Sequence, residues 1–94
     1  MLRVRYRGIL ARVAGRAAET VAVPPSGRLT DLLVDLLARY PGVLGGSAEM
    51  QWRHGSSTIW VAVNGIVLVD QDAIDARQLV EGDEITLAAP LGGG

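Results

Sequence analysis

The feature that most limits what this chain can fold into is a change of hydrophobic period. Leu2, Val4 and Tyr6 alternate with Arg3, Arg5 and Arg7, a period of two that belongs to a strand with one buried and one wet face. Glu19-Thr20-Val21-Ala22-Val23 resumes the alternation until Pro24-Pro25 stops it. Ala14-Gly15-Arg16 is the turn signal between them, so the two strands read as a hairpin with a short link. From Thr30 the period becomes helical, because Leu32, Leu33, Leu36 and Leu37 fall on one stripe. Thr30 is the expected N-cap, Asp31 suits the positive end of the helix dipole, and Tyr40-Pro41-Gly42 ends a helix of about three turns.

The second half returns to strands. Residues 42 to 58 hold Gly42, Gly45, Gly46, Ser47, Gly55, Ser56 and Ser57 without a sustained period, which reads as a long loop with at most one helical turn near Glu49 to Trp52. Ile59 to Val63 is apolar enough for a central strand, and Asn64-Gly65 followed by Ile66-Val67-Leu68 is the strongest hairpin signal in the sequence. Ala73 to Leu79 reads as an irregular or single-turn segment, Glu81-Gly82-Asp83 as a turn, and Glu84 to Ala88 as a last strand. Pro90 stops that strand from continuing in a ladder. Hairpin, helix and further strands predict an α+β fold: a mixed sheet of four or five strands packed on one main helix, with residues 1–89 as the domain and 90–94 as a flexible glycine tail.

Composition narrows the function classes. The 94 residues suit one domain, and 49% hydrophobic with 20% charged residues is the balance of a core-forming chain rather than a disordered one. There is no Cys, which excludes a disulfide scaffold, a thiolate zinc site and a Cys nucleophile, and the single His54 cannot build a multi-histidine metal site. No apolar run approaches the roughly 20 residues that span a bilayer, and the charged N-terminus lacks a signal-peptide core, so the expectation is a cytoplasmic protein with no membrane partner. No phosphate-binding loop of the G-x-x-x-x-G-K-[ST] form occurs, and no Ser has an evident His and Asp setting. His54 reads as a solvated loop residue, and Asp70, Asp72 and Asp75 read as solvated surface because the spacing does not match a calcium loop.

Charge is unevenly distributed behind a formal net charge of -1. Residues 1–30 hold six Arg against Glu19, whereas residues 64–94 hold Arg77 against six acids. All nine basic residues are Arg. Arg3, Arg5 and Arg7 share one strand face, whose ordinary reading is a wet face paired with acids on neighbouring strands. A nucleic-acid site would need stacking aromatics, and the neighbouring Tyr6 lies on the opposite face, so no nucleic-acid partner is expected. Asp83 and Glu84 are the expected steering charges toward a basic partner.

The terminus carries the remaining signal. Glycines have no Cβ to obstruct close approach, so Leu91-Gly92-Gly93-Gly94 after Pro90 can thread a narrow channel and present a carboxylate to another protein. Fully extended, these five residues reach at most about 17 Å. The alternative reading of such a terminus is a free end without a role.

Taken in order, Arg5-Tyr6-Arg7-Gly8 with Ala14-Gly15-Arg16, Thr30-x-x-Leu33 leading to Ala38-Arg39-Tyr40-Pro41, Val61-Ala62-Val63-Asn64-Gly65, Glu81-Gly82-Asp83-Glu84-Ile85 and a Pro before terminal glycines resemble the small subunit of molybdopterin synthase. The likeness is weakest from Gly45 to Thr58. It places the chain among ubiquitin-like sulfur carriers, a group that includes the thiamine-pathway carrier, and implies a β-grasp fold. The resemblance also implies a mechanism. An adenylating enzyme of the ubiquitin-activating type uses ATP to convert the Gly94 carboxylate to an acyl-adenylate, and a sulfur donor protein then displaces AMP to leave a thiocarboxylate. Pro90, Leu91, Gly92 and Gly93 would seat that end in the partner, and a large catalytic subunit of molybdopterin synthase would receive the sulfur for molybdenum cofactor biosynthesis. The carrier is then a non-catalytic subunit of a sulfurtransferase complex with no permanently bound cofactor and no metal. Carriers for thiamine, tRNA thiolation, an amino acid or a tungsten cofactor, a ubiquitin-like protein modifier, and a β-grasp binding module remain open alternatives.

Overall fold

The computed structural model describes residues 1–40 and 60–88. The loop expected over 42–58, with His54, lies outside them, as do Ala89 and the whole of 90–94.

Five strands form one mixed sheet in the order β2-β1-β5-β3-β4. These are β1 (Leu2–Arg7), β2 (Ala18–Val21), β3 (Trp60–Val63), β4 (Ile66–Leu68) and β5 (Glu84–Ala88). β1 pairs with β2 antiparallel and with β5 in parallel, and β5 pairs antiparallel with β3. The last described strand thus occupies the centre of the sheet, with β3 beside it. The long helix α2 (Leu29–Arg39) contributes Leu29, Leu32, Leu33 and Leu36 to the core, each no more than 4% exposed. They meet the inward side of the sheet, where Leu2, Val4, Val61, Val63, Ile85 and Leu87 are buried. The expected mixed sheet on one main helix is therefore the observed architecture.

Three local readings are corrected. The link between β1 and β2 contains a short helix, α1 (Ile9–Ala14), which places Leu10 and Ala14 in the core one turn apart. It ends on Gly15 in the left-handed region at φ 75°, so the glycine read as a hairpin turn is a helix C-cap. Thr30 is not the N-cap of α2, because the helix begins at Leu29 and Arg28 holds the cap position without a side-chain bond. Ser26 organises that entrance instead, accepting from the Arg28 backbone N–H at 3.1 Å and donating to Asp31. The segment Ala73 to Leu79, read as irregular or a single turn, is entered by a third helix, α3 (Gln71–Ala76), which starts two residues earlier and is capped by Asp70, whose carboxylate accepts from the Ala73 N–H at 2.8 Å.

The Asn64-Gly65 turn forms as expected, with φ of 52° and 85° at its two residues, the left-handed pair that a tight hairpin requires. Asn64 does more than turn the chain. Its side chain donates to Asp83 and accepts from the Glu84 N–H, both at 2.9 Å, which ties the β3–β4 hairpin to the start of β5.

Candidate docking face

Among the described residues, α2 and the core cover one side of the sheet. On the other side, register brings the outward residues of four strands into rows. Arg7, Ala88 and Trp60 form one row; Arg5, Thr86, Ala62 and Val67 form the next; Arg3 and Glu84 form the third. Adjacent strands lie about 4.8 Å apart, so Arg7 and Trp60 face each other across the small Ala88 at roughly 10 Å between Cα atoms.

This open face is divided. Its β1 half is arginine, and its β3–β4 half is apolar, with Trp60 52% and Val67 43% exposed. A large aromatic left half in water on a small domain marks a contact surface more often than a scattered apolar residue does. Within the strand expected to be central, the alternation in Trp60-Val61-Ala62-Val63 separates an outward pair, Trp60 and Ala62, from the buried Val61 and Val63. The chain passes beyond the described residues from Ala88, in the same row as Arg7 and Trp60.

The expected pairing of the arginines with acids is present in part. Glu84 lies 3.9 Å from Arg3 and 3.7 Å from Arg5, while Arg7 has no ion pair among the described residues.

The two acids expected to steer a partner hold different positions. Asp83 is 6% exposed. Its carboxylate accepts from the Val80 N–H and from Asn64, both at 2.9 Å, and lies 3.8 Å from Arg77. The Val80 and Asn64 bonds outweigh burial and, with Arg77, hold its pKa below the usual Asp range. Asp83 is therefore buried in the turn and held there by donors of its own chain. Glu84 does sit on the open face, but it begins β5, whereas the last described residue of the strand, Ala88, lies roughly 13 Å further along. Asp70 is committed to capping α3, a helix that packs against α2 and β4. Among the described residues no group of three or more His, Cys, Asp or Glu could hold a metal ion. Pro90, Leu91, Gly92, Gly93 and Gly94 lie outside the described residues.

A polar cluster on the covered side escaped the sequence reading. Tyr6 and Tyr40 both donate to one oxygen of Glu19, at 2.6 and 2.8 Å, and their rings meet edge to face at 5.9 Å. Burial raises the Tyr6 pKa strongly, reinforced by the bond to Glu19, and the same bond raises that of Tyr40. Burial works against the Glu19 charge, but the two phenols, Arg16 and Arg39 together hold its pKa below the usual Glu range. The cluster fastens the end of α2 to β1 and β2. Its only sequence signal is Glu19 standing in phase with Val21 and Val23, a polar residue on an inward face.

No protein-family model matches the sequence, and no curated protein matches it in a sequence search. Solved structures do match it over nearly its full length. A candidate molybdopterin converting factor, subunit 1, from Pyrococcus furiosus is 20% identical with a TM-score of 0.67, covering 96% of this chain and 97% of that one. The small archaeal modifier protein 1 of Methanosarcina acetivorans is 20% identical with a TM-score of 0.72, covering 99% and 95%. That of Haloferax volcanii is 24% identical with a TM-score of 0.68, covering 99% and 98%. The fold is the ubiquitin-like β-grasp. Among the described residues no helix is long and apolar enough to cross a membrane.

Proposed function

We propose that this chain is a sulfur carrier whose working group is the Gly94 carboxylate, most like the small subunit of a molybdopterin synthase. The observation that carries the reading is one of placement. The described part of the central strand β5 ends at Ala88, in the row that holds the exposed Trp60, and in sequence Pro90-Leu91-Gly92-Gly93-Gly94 begins two residues later, which supports a partner that recognises this face while acting on the terminal carboxylate.

The chemistry suits a chain of this composition. A carboxylate is a poor acyl donor because its leaving group would be an oxide. Transfer of AMP from ATP by a partner adenylating enzyme supplies a good leaving group, and a sulfur nucleophile on a donor protein then displaces it. The carrier contributes a slender acyl end and a recognition face, and its own side chains need not act as acid, base or nucleophile. In the synthase assignment a large catalytic subunit takes the sulfur, and the carrier returns to its carboxylate.

The test is the intact mass after incubation with an adenylating enzyme from the same source, ATP and a sulfide source. The expected gain is that of one oxygen replaced by sulfur, present in the full chain and absent when Gly93 and Gly94 are deleted. No gain in the full chain, with an enzyme shown to act on another carrier, would overturn the reading.

A second reading, a protein modifier joined through Gly94 to target lysines, is supported by the two modifier structures that share the fold. A glycine-dependent ladder of heavier species in native-host lysate, resistant to thiol reductants, would favour it. Consumption of the thiocarboxylate by a large synthase subunit and pterin precursor, over several turnovers per chain, favours the carrier.

A further inference from the structure

We infer that the arginine row Arg3-Arg5-Arg7 is the polar half of the docking face and fits a partner protein that presents acidic residues beside an apolar pocket, with Arg7 as the leading contact. The inference rests on the carrier reading for which partner is meant, and it reverses the sign expected from the acidic second half of the chain.

Three observations carry it. Asp83 is withdrawn into the turn and Glu84 lies between Arg3 and Arg5, so the acids closest to the open face are already engaged. Arg7 has no ion pair among the described residues and shares its row with Ala88, the last described residue of β5, and with Trp60. Alternate residues of a strand stand about 6.6 Å apart, so the three guanidinium stems repeat at the spacing of acids on alternate positions of a partner strand, or on successive turns of a partner helix. The row therefore fixes the sign of the charge that the partner presents.

The same repeat would accept phosphates of a single-stranded nucleic acid, but the rest of the face argues for protein. Strand binding needs several stacking aromatics and an uninterrupted basic track. Here Trp60 is the one aromatic of the described face, Ala62, Val67, Ala88 and Thr86 lie beside it, and Glu84 is ion-paired to Arg3 and Arg5 of the basic row. An apolar half beside a charged half is the make-up of a protein interface with an anchor and a polar rim.

Two measurements test the inference. In the first, stopped-flow association with the adenylating enzyme is followed for wild type, Arg7→Glu and, as control, Arg28→Glu, which alters an exposed arginine at the start of α2. Arg7→Glu is expected to slow association about tenfold at low salt and to flatten its salt dependence, because lost steering acts on the on-rate. Arg28→Glu is expected to match wild type. Equal rates for Arg7→Glu and wild type, in a chain that still gains sulfur, would overturn the inference while leaving the carrier reading intact.

The second measurement needs no carrier activity. Amide shifts of labelled protein are followed on adding short peptides that alternate Glu with Leu or Lys with Leu. Shifts at Arg5, Arg7, Trp60 and Ala62 with the Glu peptide alone are expected. Equal response to both peptides, or tighter binding of oligothymidylate than of the Glu peptide at physiological salt, would sink it.

Discussion

At the scale of single residues, Glu19 shows why a carboxylate can be kept on the covered side of a sheet. Its side chain is only 9% exposed, a position that costs free energy unless the charge is paired and hydrogen-bonded. Two phenol donors and Arg16 at 3.6 Å supply that pairing. The folded state holds the Glu19 and Asp83 pKa values below their unfolded values. Their stabilisation is therefore present above the unfolded carboxylate range, near pH 4, and is lost as the pH falls through the folded values. Tyr6 and Tyr40 behave in the opposite sense. Their raised folded pKa values leave stability intact below about pH 10 and remove it as the pH climbs further. Glu19→Gln keeps the shape but removes the charge, so it should lower stability at neutral pH by about 2 kcal/mol and flatten the acid limb of a stability-against-pH profile. Tyr6→Phe should shrink the alkaline limb. Urea titrations across the pH range check both, and acid and alkaline limbs unchanged in the two variants would show that the cluster adds no pH-dependent stability. Only the inward phase of Glu19 was legible in the sequence, because Glu19 meets its partners when β1, β2 and the end of α2 are brought together.

At the scale of elements, long periodic segments were readable and short ones were not. β1 and α2 each offer several repeats of their period, and both lie where the alternation and the leucine stripe put them. α1 and α3 are six residues each, too short for a helical period to stand out from a turn, and their formation depends on Leu10, Ala14 and Ile74 finding the core. The Asn64-Gly65 turn was legible because a two-residue hairpin demands left-handed backbone that few residues accept. The part beyond reach was the second use of Asn64, as a clamp on the start of β5. Replacing it with Gly isolates that use, since Gly tolerates the same backbone but loses the bonds to Asp83 and Glu84. Asn64→Gly should cost about 1–3 kcal/mol. Asp70→Ala should cost about 1 kcal/mol through the lost cap of α3. Chemical denaturation midpoints measure both; an Asn64→Gly protein as stable as wild type would reduce the side chain to a turn former.

At the scale of the whole molecule, the decisive contact joins the two distant strands β1 and β5 in parallel. Alternation reveals which side of a strand is buried but says nothing about its neighbour, so the central place of β5 could be reached only through the family resemblance. The same blindness hides where the two expected steering acids sit, since Asp83 and Glu84 are near the glycine segment in sequence but stand at the far end of the strand from Ala88. Placing β5 at the centre has a physical consequence. Among the described residues, strands β1, β5 and β3 are bonded on both sides, while β2 and β4 are each bonded on one. Opening β4, three residues long with Ile66 66% exposed, gives up little buried surface, whereas opening β5 separates both halves of the sheet. Amide exchange followed by NMR should therefore rank β5 and β1 slowest, exchanging only through global unfolding, with β4 and α3 faster by local opening. Deleting Gly93 and Gly94 should leave that ranking and the melting temperature unchanged, since the described sheet ends at Ala88. The sulfur gain, by contrast, should vanish. If the truncated chain instead melted earlier or lost protection in β5, the glycine end would be part of the fold, and a loss of sulfur loading could no longer be assigned to the missing acyl group.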